Sequence, residues 1–97
     1  MKLKLYSIKD TLVGQFKSPA QFNNDNEAIR AVKYSLQSIN DLSRNCKDYE
    51  LWCLGEYDTE TGLIKSDVRH VCNLIDYVDP QVYEAVQKPN LGGVDNG

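Results

Sequence analysis

The chain has 97 residues, the length of one small domain with a single hydrophobic core. Hydrophobic residues make up 41% of it and charged residues 26%, which is ordinary for a soluble globular chain, and no stretch approaches the apolar length of a membrane span. The start, MKLKLYSIKD, is too polar for a signal peptide. Three cysteines without repeated spacing argue against a secreted disulfide framework, so a reducing cytoplasm is expected.

The net charge of −3 is unevenly distributed. Residues 1–47 carry eight Lys or Arg against four Asp or Glu, whereas residues 48–97 carry three against ten. Two interpretations stay open. The clustering is either an ordinary solvated surface, or a basic half that binds an anion or the acidic half of another copy.

The first ten residues predict a β-strand with one buried face. Leucines alternate with lysines over residues 1–5, which is the period of a strand. The alternation slips after Leu5, because Tyr6 has the parity of the lysines. Residues 11–14 predict a turn, and residues 15–18 predict a short second strand.

Residues 21–40 predict one long helix. Asn23, Asn24 and Asp25 offer side-chain oxygens for its N-cap. An apolar stripe at helical spacing predicts the side that lies on the sheet. The stripe consists of Ala28, Ile29, Val32, Ser35, Leu36 and Ile39. Residues 42–47 predict a polar connection.

Residues 49–66 predict a central β-hairpin. Aromatic and aliphatic residues dominate its first half, and a turn ends at Gly62, which can adopt the positive φ that such a loop needs. The predicted cross-strand pairs are Asp58 with Leu63, Tyr57 with Ile64, and Glu56 with Lys65. Aromatic–aliphatic and oppositely charged pairs are typical of a correct register.

The remainder of the chain is less regular. Residues 67–78 fit a helical stripe or a strand, and the β-branched content favours a strand over 71–77. Residues 80–87 predict a short helix that begins at a proline. The sequence therefore predicts one α+β domain over residues 1–87 and a flexible tail over 88–97.

The predicted fold is a small, mainly antiparallel sheet with one long helix packed on one face. In the first strand of the hairpin, one face is expected to carry Tyr49, Leu51, Cys53 and Tyr57. Trp52 and Leu54 then point to the other face, which one helix cannot cover. The C-terminal segment or a second subunit must cover them, and the second alternative predicts a homodimer through Trp52 and Leu54, or through an exposed sheet edge.

Residues with catalytic or metal-binding chemistry are sparse. His70 is the only histidine, and no Ser or Cys lies in a recognisable nucleophile motif. The three cysteines include no CxxC pair, and Cys53 lies in a strand where cysteine packs as a small hydrophobic residue. The sequence predicts no catalytic residue, no metal and no cofactor.

Nucleic acid is the better candidate ligand, because single-strand binding needs cations along a groove and flat rings for stacking. The candidate contacts are Lys2, Lys4, Tyr6, Lys9, Phe16, Lys17, Arg30 and Lys33. Alternating lysines are also the usual solvent face of an edge strand. The acidic sequence pI of about 5.0 argues against a strong general binder.

Three stretches together resemble one protein family: MKLKLYSIKD, NNDNEAIRAVKYSL and DYELWCLGEYDTETGLI. The matching residues are Tyr6, Ser7, Ile8 and Asp10, then Asn26, Ala28, Ile29, Arg30 and Ala31, then Tyr49, Leu51, Leu54, Gly55, Tyr57, Asp58, Thr61 and Gly62. Their order and spacing resemble the small non-structural protein of gokushovirus-type microviruses, bacteriophages with single-stranded DNA genomes. Val32 stands where the family commonly has an aromatic residue, and residues 67–97 fall outside the resemblance.

The resemblance implies a non-enzymatic phage protein that is absent from the virion and acts in the host cytoplasm. Such proteins are associated with the switch to single-stranded DNA synthesis that accompanies packaging, which makes single-stranded DNA the expected partner. The rival hypothesis is a protein-interaction adaptor that contacts a host replication enzyme or the procapsid through its acidic half. The DNA hypothesis requires that cations of the first strand and of the helix converge on one surface.

Overall fold

An antiparallel sheet with helices on one face forms the body of the protein in a computed structural model, which describes residues 1–88. The strands are β1 (Lys2–Asp10), β2 (Gln15–Phe16), β3 (Ala20–Phe22), β4 (Tyr49–Asp58) and β5 (Ile64–Asn73). The helices are α1 (Asp25–Ser35), α2 (Asp41–Arg44) and α3 (Pro80–Gln87), with 3₁₀ turns at Cys46–Asp48 and Leu74–Asp76. None of these helices is long and apolar enough to cross a bilayer.

The strand order is β2-β1-β4-β5, and β3 also pairs with β1. β4 runs along the whole of one edge of β1, so β2 and β3 share the other edge, at Lys9–Asp10 and Lys4–Tyr6 respectively. The α+β class and the antiparallel sheet agree with the sequence prediction.

The predicted single long helix over 21–40 is wrong, because side-chain caps cut it at both ends. Asn24, one of the three predicted N-cap residues, accepts a hydrogen bond from the Glu27 backbone N–H at 2.9 Å, and α1 begins there rather than at residue 21. At the other end, the Asn40 amide donates to the Ser35 carbonyl at 2.7 Å, and α1 ends there. Ile39 therefore lies beyond the helix and is exposed.

The polar connection predicted over 42–47 contains a short helix and a 3₁₀ turn. Asn40 and Ser43 form a reciprocal capping box that begins α2. The Ser43 hydroxyl is fully buried and donates to the Ser38 carbonyl at 2.8 Å. Cys46, in the following 3₁₀ turn, is buried in the core.

The hydrophobic core lies between the sheet and the helices. Its buried members are Tyr6, Ala28, Val32, Leu36, Cys46, Tyr49, Leu51, Cys53, Cys72 and Leu74. Side chains paired across antiparallel strands lie on the same face of the sheet. The row Tyr6–Cys53–Arg69 therefore belongs to the face that α1 covers, which we call the covered face.

The opposite, open face of the sheet is not covered by a helix within residues 1–88. By strand pairing it carries Leu3, Leu5, Ser7, Lys9, Phe16, Gln21, Glu50, Trp52, Tyr57, Ile64, Ser66, His70 and Asn73. The two faces are thus chemically different. One is a packed core, and the other presents aromatic and polar side chains.

An irregularity in β4 determines which residues reach each face. Tyr6 pairs with Cys53 and Leu5 pairs with Gly55, so Leu54 is an extra residue in β4. The inside–outside alternation of β4 shifts by one residue at this point. The prediction that Tyr57 shares a face with Tyr49, Leu51 and Cys53 is therefore wrong, since Tyr57 pairs with Leu3 on the open face.

The hairpin itself has the predicted register. Tyr57 pairs with Ile64, Glu56 pairs with Lys65, and the Asp58 N–H donates to the Leu63 carbonyl at 3.0 Å. Gly62 closes the turn with a φ of 76°.

The remaining C-terminal predictions are met in part. β5 continues to Asn73, so the predicted strand over 71–77 is right at its start, and the chain then turns into the 3₁₀ segment Leu74–Asp76. The short helix over 80–87 is confirmed as α3, with the Asp79 carboxylate as its N-cap. The predicted tail, 88–97, lies outside the described residues apart from Lys88.

Gly55 should tolerate a side chain far less well than Gly62. A Cβ at Gly55 would lie 2.2 Å from the Lys65 carbonyl oxygen, at a φ of 145°. We expect Gly55→Ala to lower the free energy of unfolding by roughly 3 kcal/mol, measured by urea denaturation. Gly62→Ala is the matched control, because at Gly62 only the positive φ is unfavourable and the cost is about 1 kcal/mol. Equal losses for the two variants would contradict the steric argument.

Candidate nucleic-acid interface

The structure does not bring the eight predicted DNA contacts together on one surface. Lys2 and Lys4 lie on the covered face near the hairpin turn, where they pair across β1 and β4 with Asp58 and Glu56. These two lysines stand next to carboxylates, as Lys9 does beside Glu50, but they lie on the side of the sheet opposite to Lys9. The predicted convergence of the cations on one surface fails here, because the strand β4 beside β1 is acidic at these positions.

Two other predicted contacts are used within the protein. Tyr6 is only 1% exposed and donates its hydroxyl proton to Asp25 at 2.5 Å, so its ring is not accessible to a base. Lys17 lies 3.8 Å from the Asp41 carboxylate and 5.1 Å from the centre of the Tyr49 ring. Neither side chain presents itself as a free contact for DNA.

The predicted contacts Lys9 and Phe16 lie together on the open face, beside two residues not predicted to bind DNA. The Lys9 ammonium is 4.9 Å from the centre of the Trp52 ring and 5.5 Å from that of Phe16. Phe16 and Trp52 meet edge to face at 5.8 Å, and Trp52 and His70 do so at 5.6 Å. We call Lys9, Phe16, Trp52 and His70 the aromatic cluster.

The aromatic cluster is held in place by polar partners and remains accessible. The Trp52 indole N–H donates to the Glu50 carboxylate at 2.9 Å, and the His70 Nε2 is 2.8 Å from the Asn73 side-chain oxygen. These contacts fix the orientation of both rings. Phe16 is 42% exposed, so the cluster offers ring surface to a ligand.

A second aromatic position extends the open face towards the hairpin turn. Tyr57 pairs with Leu3 and Ile64, and its hydroxyl donates to the Gln21 side chain. The Gln21 amide also lies on the open face, through the pairing of Gln21 with Leu5. Along β4, the stretch from Trp52 to Tyr57 therefore carries a ring at each end.

The remaining predicted contacts, Arg30 and Lys33, lie on the outer side of α1. They line an open groove of about 400 Å³ together with Tyr34. This groove faces away from the sheet, because Ala28, Val32 and Leu36 occupy the side of α1 that is packed on the core.

Trp52 and Leu54, the predicted dimer residues, do not behave alike. Trp52 belongs to the aromatic cluster, whereas Leu54 is the extra residue of β4 and pairs with neither adjacent strand. Both are partly buried within the single chain.

An ionic network fixes α1 on the covered face. The Arg69 guanidinium donates two hydrogen bonds to the Asp25 carboxylate, each 2.8 Å long, and Tyr6 donates a third. The hydrogen bonds from Arg69 are the main reason that the pKa of Asp25 falls to about 2. Burial, followed by the hydrogen bond to Asp25, raises the pKa of Tyr6.

Sequence reasoning missed Trp52, His70 and Tyr34 as candidate contacts. Trp52 was considered only as part of an interface, and His70 only as a catalytic or metal-binding residue. Only the pairing of β4 with β1 and β5, which the sequence does not show at these positions, brings Trp52 to Lys9 and His70 to Trp52. Tyr34 follows Arg30 at i, i+4 spacing, which was visible in the sequence.

The architecture is that of a small α+β protein whose antiparallel sheet has one helix-covered and one open face. The chain belongs to the family described as Phage ORF5 protein, whose model matches residues 3–77. It is therefore a phage protein, as the resemblance of its three sequence stretches implied. Searches of curated proteins and of solved structures found no match.

Asp25 should contribute stability that depends on pH. Because its pKa is lower in the folded state, the contribution is complete above about pH 4, the ordinary pKa of an aspartate, and is lost as the pH falls towards 2. We expect Asp25→Asn to lower the free energy of unfolding at pH 7 by about 1 kcal/mol. This is a small effect, because both ion-pair partners are more than a third exposed.

The difference between the native chain and Asp25→Asn should shrink between pH 5 and pH 2, measured by urea denaturation at each pH. Asp67→Asn is the matched control, because it removes an exposed carboxylate that forms no ion pair within residues 1–88. A difference that stays constant down to pH 2 would contradict the role of the ionised carboxylate.

Proposed function

We propose that this phage protein is a non-enzymatic accessory factor of genome replication and packaging that binds single-stranded DNA on the open face of its sheet. The observation that carries the proposal is the aromatic cluster, in which Lys9 lies over Trp52 beside Phe16 and His70. Rings with a nearby cation on an uncovered sheet are a recurring way of binding single strands without sequence preference.

The chemistry of the open face suits a flexible single strand. Bases stack on flat rings whatever their sequence, and each stacked base contributes about 1–3 kcal/mol. Trp52 and Tyr57 pair with Ser7 and Leu3, which are four positions apart on β1, so roughly 13 Å separates them at the rise of an extended strand. Several nucleotides can therefore lie between the two rings, with the Gln21 and Ser66 side chains available for hydrogen bonds.

Membership in the phage family and the three resembling stretches support the biological setting. A factor that associates with single strands during the switch to single-strand synthesis would act in the cytoplasm of the bacterial host and would not need to enter the virion. The proposal requires no cofactor. It differs from the sequence prediction in the location of the site, since Lys2, Lys4, Tyr6 and Lys17 are not part of it.

Direct titration tests the proposal, because Trp52 is the only tryptophan in the chain. Adding an unlabelled oligothymidylate at low salt should quench the Trp52 fluorescence in a saturable manner. The affinity should fall as salt rises. The logarithm of the binding constant should decrease by about 0.7 per phosphate contact for each tenfold increase in salt concentration. An unchanged Trp52 signal, together with no binding of a labelled oligonucleotide at low salt, would overturn the proposal.

Replacing the central ring should weaken binding by about tenfold, which corresponds to one lost stacking contact. We expect this result for Trp52→Leu, measured by the fluorescence anisotropy of a labelled oligothymidylate. Tyr83→Leu is the control, because Tyr83 lies on α3 against the covered-face core. Circular dichroism would verify that both variants keep the fold. Equal affinities for Trp52→Leu and Tyr83→Leu would exclude stacking on Trp52.

The adaptor hypothesis remains the second candidate, and the charge distribution favours it. Residues 48–97 carry ten Asp or Glu against three Lys or Arg, which suits a basic protein partner better than DNA. A host replication enzyme or the procapsid would be such a partner. Absence of oligonucleotide binding at low salt would make the adaptor the better explanation.

The proposed homodimer through Trp52 and Leu54 would use the same open face as DNA. A dimer formed there should dissociate when an oligothymidylate is added, because both ligands need the Trp52 ring. Light scattering with and without the oligonucleotide measures this directly. A strict monomer at high protein concentration would contradict the dimer.

A further inference from the structure

The outer side of α1 carries a second cluster of side chains suited to a single strand. Arg30, Lys33 and Tyr34 follow each other at i, i+3 and i+4 spacing, so their side chains are neighbours on the helix surface. They line a groove of about 400 Å³, which is completed by Asn26, Ile29 and Gln37. None of the carboxylates among the described residues 1–88 lines this groove.

The two cations of the groove are free to bind an anion. Within residues 1–88, neither Arg30 nor Lys33 lies within 4 Å of a carboxylate, whereas Lys17, Arg69 and Lys88 do. Arg30 and Lys33 are also both exposed. An exposed guanidinium and an exposed ammonium without a neighbouring carboxylate can bind phosphate groups.

Tyr34 adds an accessible ring beside the two cations. It is 76% exposed, although residues on the opposite side of the same helix turn are buried. The amides of Asn26 and Gln37 add donors and acceptors that can bond base edges. Beyond Lys33 and Gln37 the surface continues to Asp76 and Asp79, which limits the basic stretch to the groove itself.

This groove and the aromatic cluster lie on opposite sides of the molecule. α1 packs on the covered face with the groove outward, and the aromatic cluster lies on the open face. At least the thickness of a helix, about 10 Å, and the sheet itself separate them. A short stretch of single strand cannot follow both surfaces at once.

We propose that the α1 groove is a second site for single-stranded DNA, so that one molecule holds two segments of strand. The inference rests on the proposed function only in the identity of the ligand, because its residues are entirely separate. Binding two segments would compact a single-stranded genome rather than only coat it.

Stoichiometry tests the inference. With an oligothymidylate of eight nucleotides at low salt, calorimetric titration should give two oligonucleotides per chain for the native protein. Arg30→Gln/Lys33→Gln should give one, and the Trp52 fluorescence should still be quenched. Arg44→Gln/Lys47→Gln removes the same charges from exposed positions elsewhere and should still give two. Tyr34→Leu, which changes only an exposed ring, should weaken the second site several-fold.

The possible outcomes separate this inference from the proposed function. If Arg30→Gln/Lys33→Gln binds as many oligonucleotides as the native protein, the second site is overturned and the open-face site stands. If that variant loses all binding while Trp52→Leu loses none, the α1 groove stands as the DNA site and the open-face proposal fails. If the native protein binds one oligonucleotide per chain and only Trp52→Leu loses that binding, the α1 groove is not a DNA site.

Discussion

The close approach of the Lys65 carbonyl to Gly55 is the constraint on which the rest of the structure depends. A residue with a side chain does not fit there, so β4 and β5 come together only because position 55 is a glycine. The same place contains the extra residue Leu54, which shifts the alternation of β4 by one. Tyr57 consequently lies on the open face with Trp52, although the two are an odd number of positions apart.

The ionic network of Asp25 has the complementary role of fixing the helices to a single side. Arg69 comes from β5, Tyr6 from β1 and Asp25 from the first turn of α1, so three elements meet at one carboxylate. With α1 held there, the apolar residues of the helix complete the core and its cations point outward. The protein thus has two surfaces of distinct chemistry, an aromatic sheet and a basic helix side, and both are suited to flexible polyanions.

The sequence predicted those features that depend on neighbouring residues. The hairpin register followed from local pairs such as Tyr57 with Ile64, and α3 followed from Asp79 and Pro80. The N-cap Asn24 was among the predicted candidates, but the C-terminal end of α1 was missed, because it depends on the bond from Asn40 to Ser35, which periodicity does not reveal. The candidate site was predicted only in part, because the face of each residue depends on strand order. All three lysines of β1 pair with carboxylates of β4, but Lys2 and Lys4 do so on the covered face, whereas Lys9 lies on the open face, where it also meets Trp52.

The divided outer edge of β1 has a consequence for the behaviour of the protein at high concentration. Strands of two and three residues occupy that edge in place of one continuous strand. At the other end of the sheet, β5 is out of regular register with β4 at two places and carries charged side chains. Sheet edges that are short, irregular or charged pair poorly with a strand of another molecule. We therefore expect the folded protein to resist growth into fibrils even at high concentration.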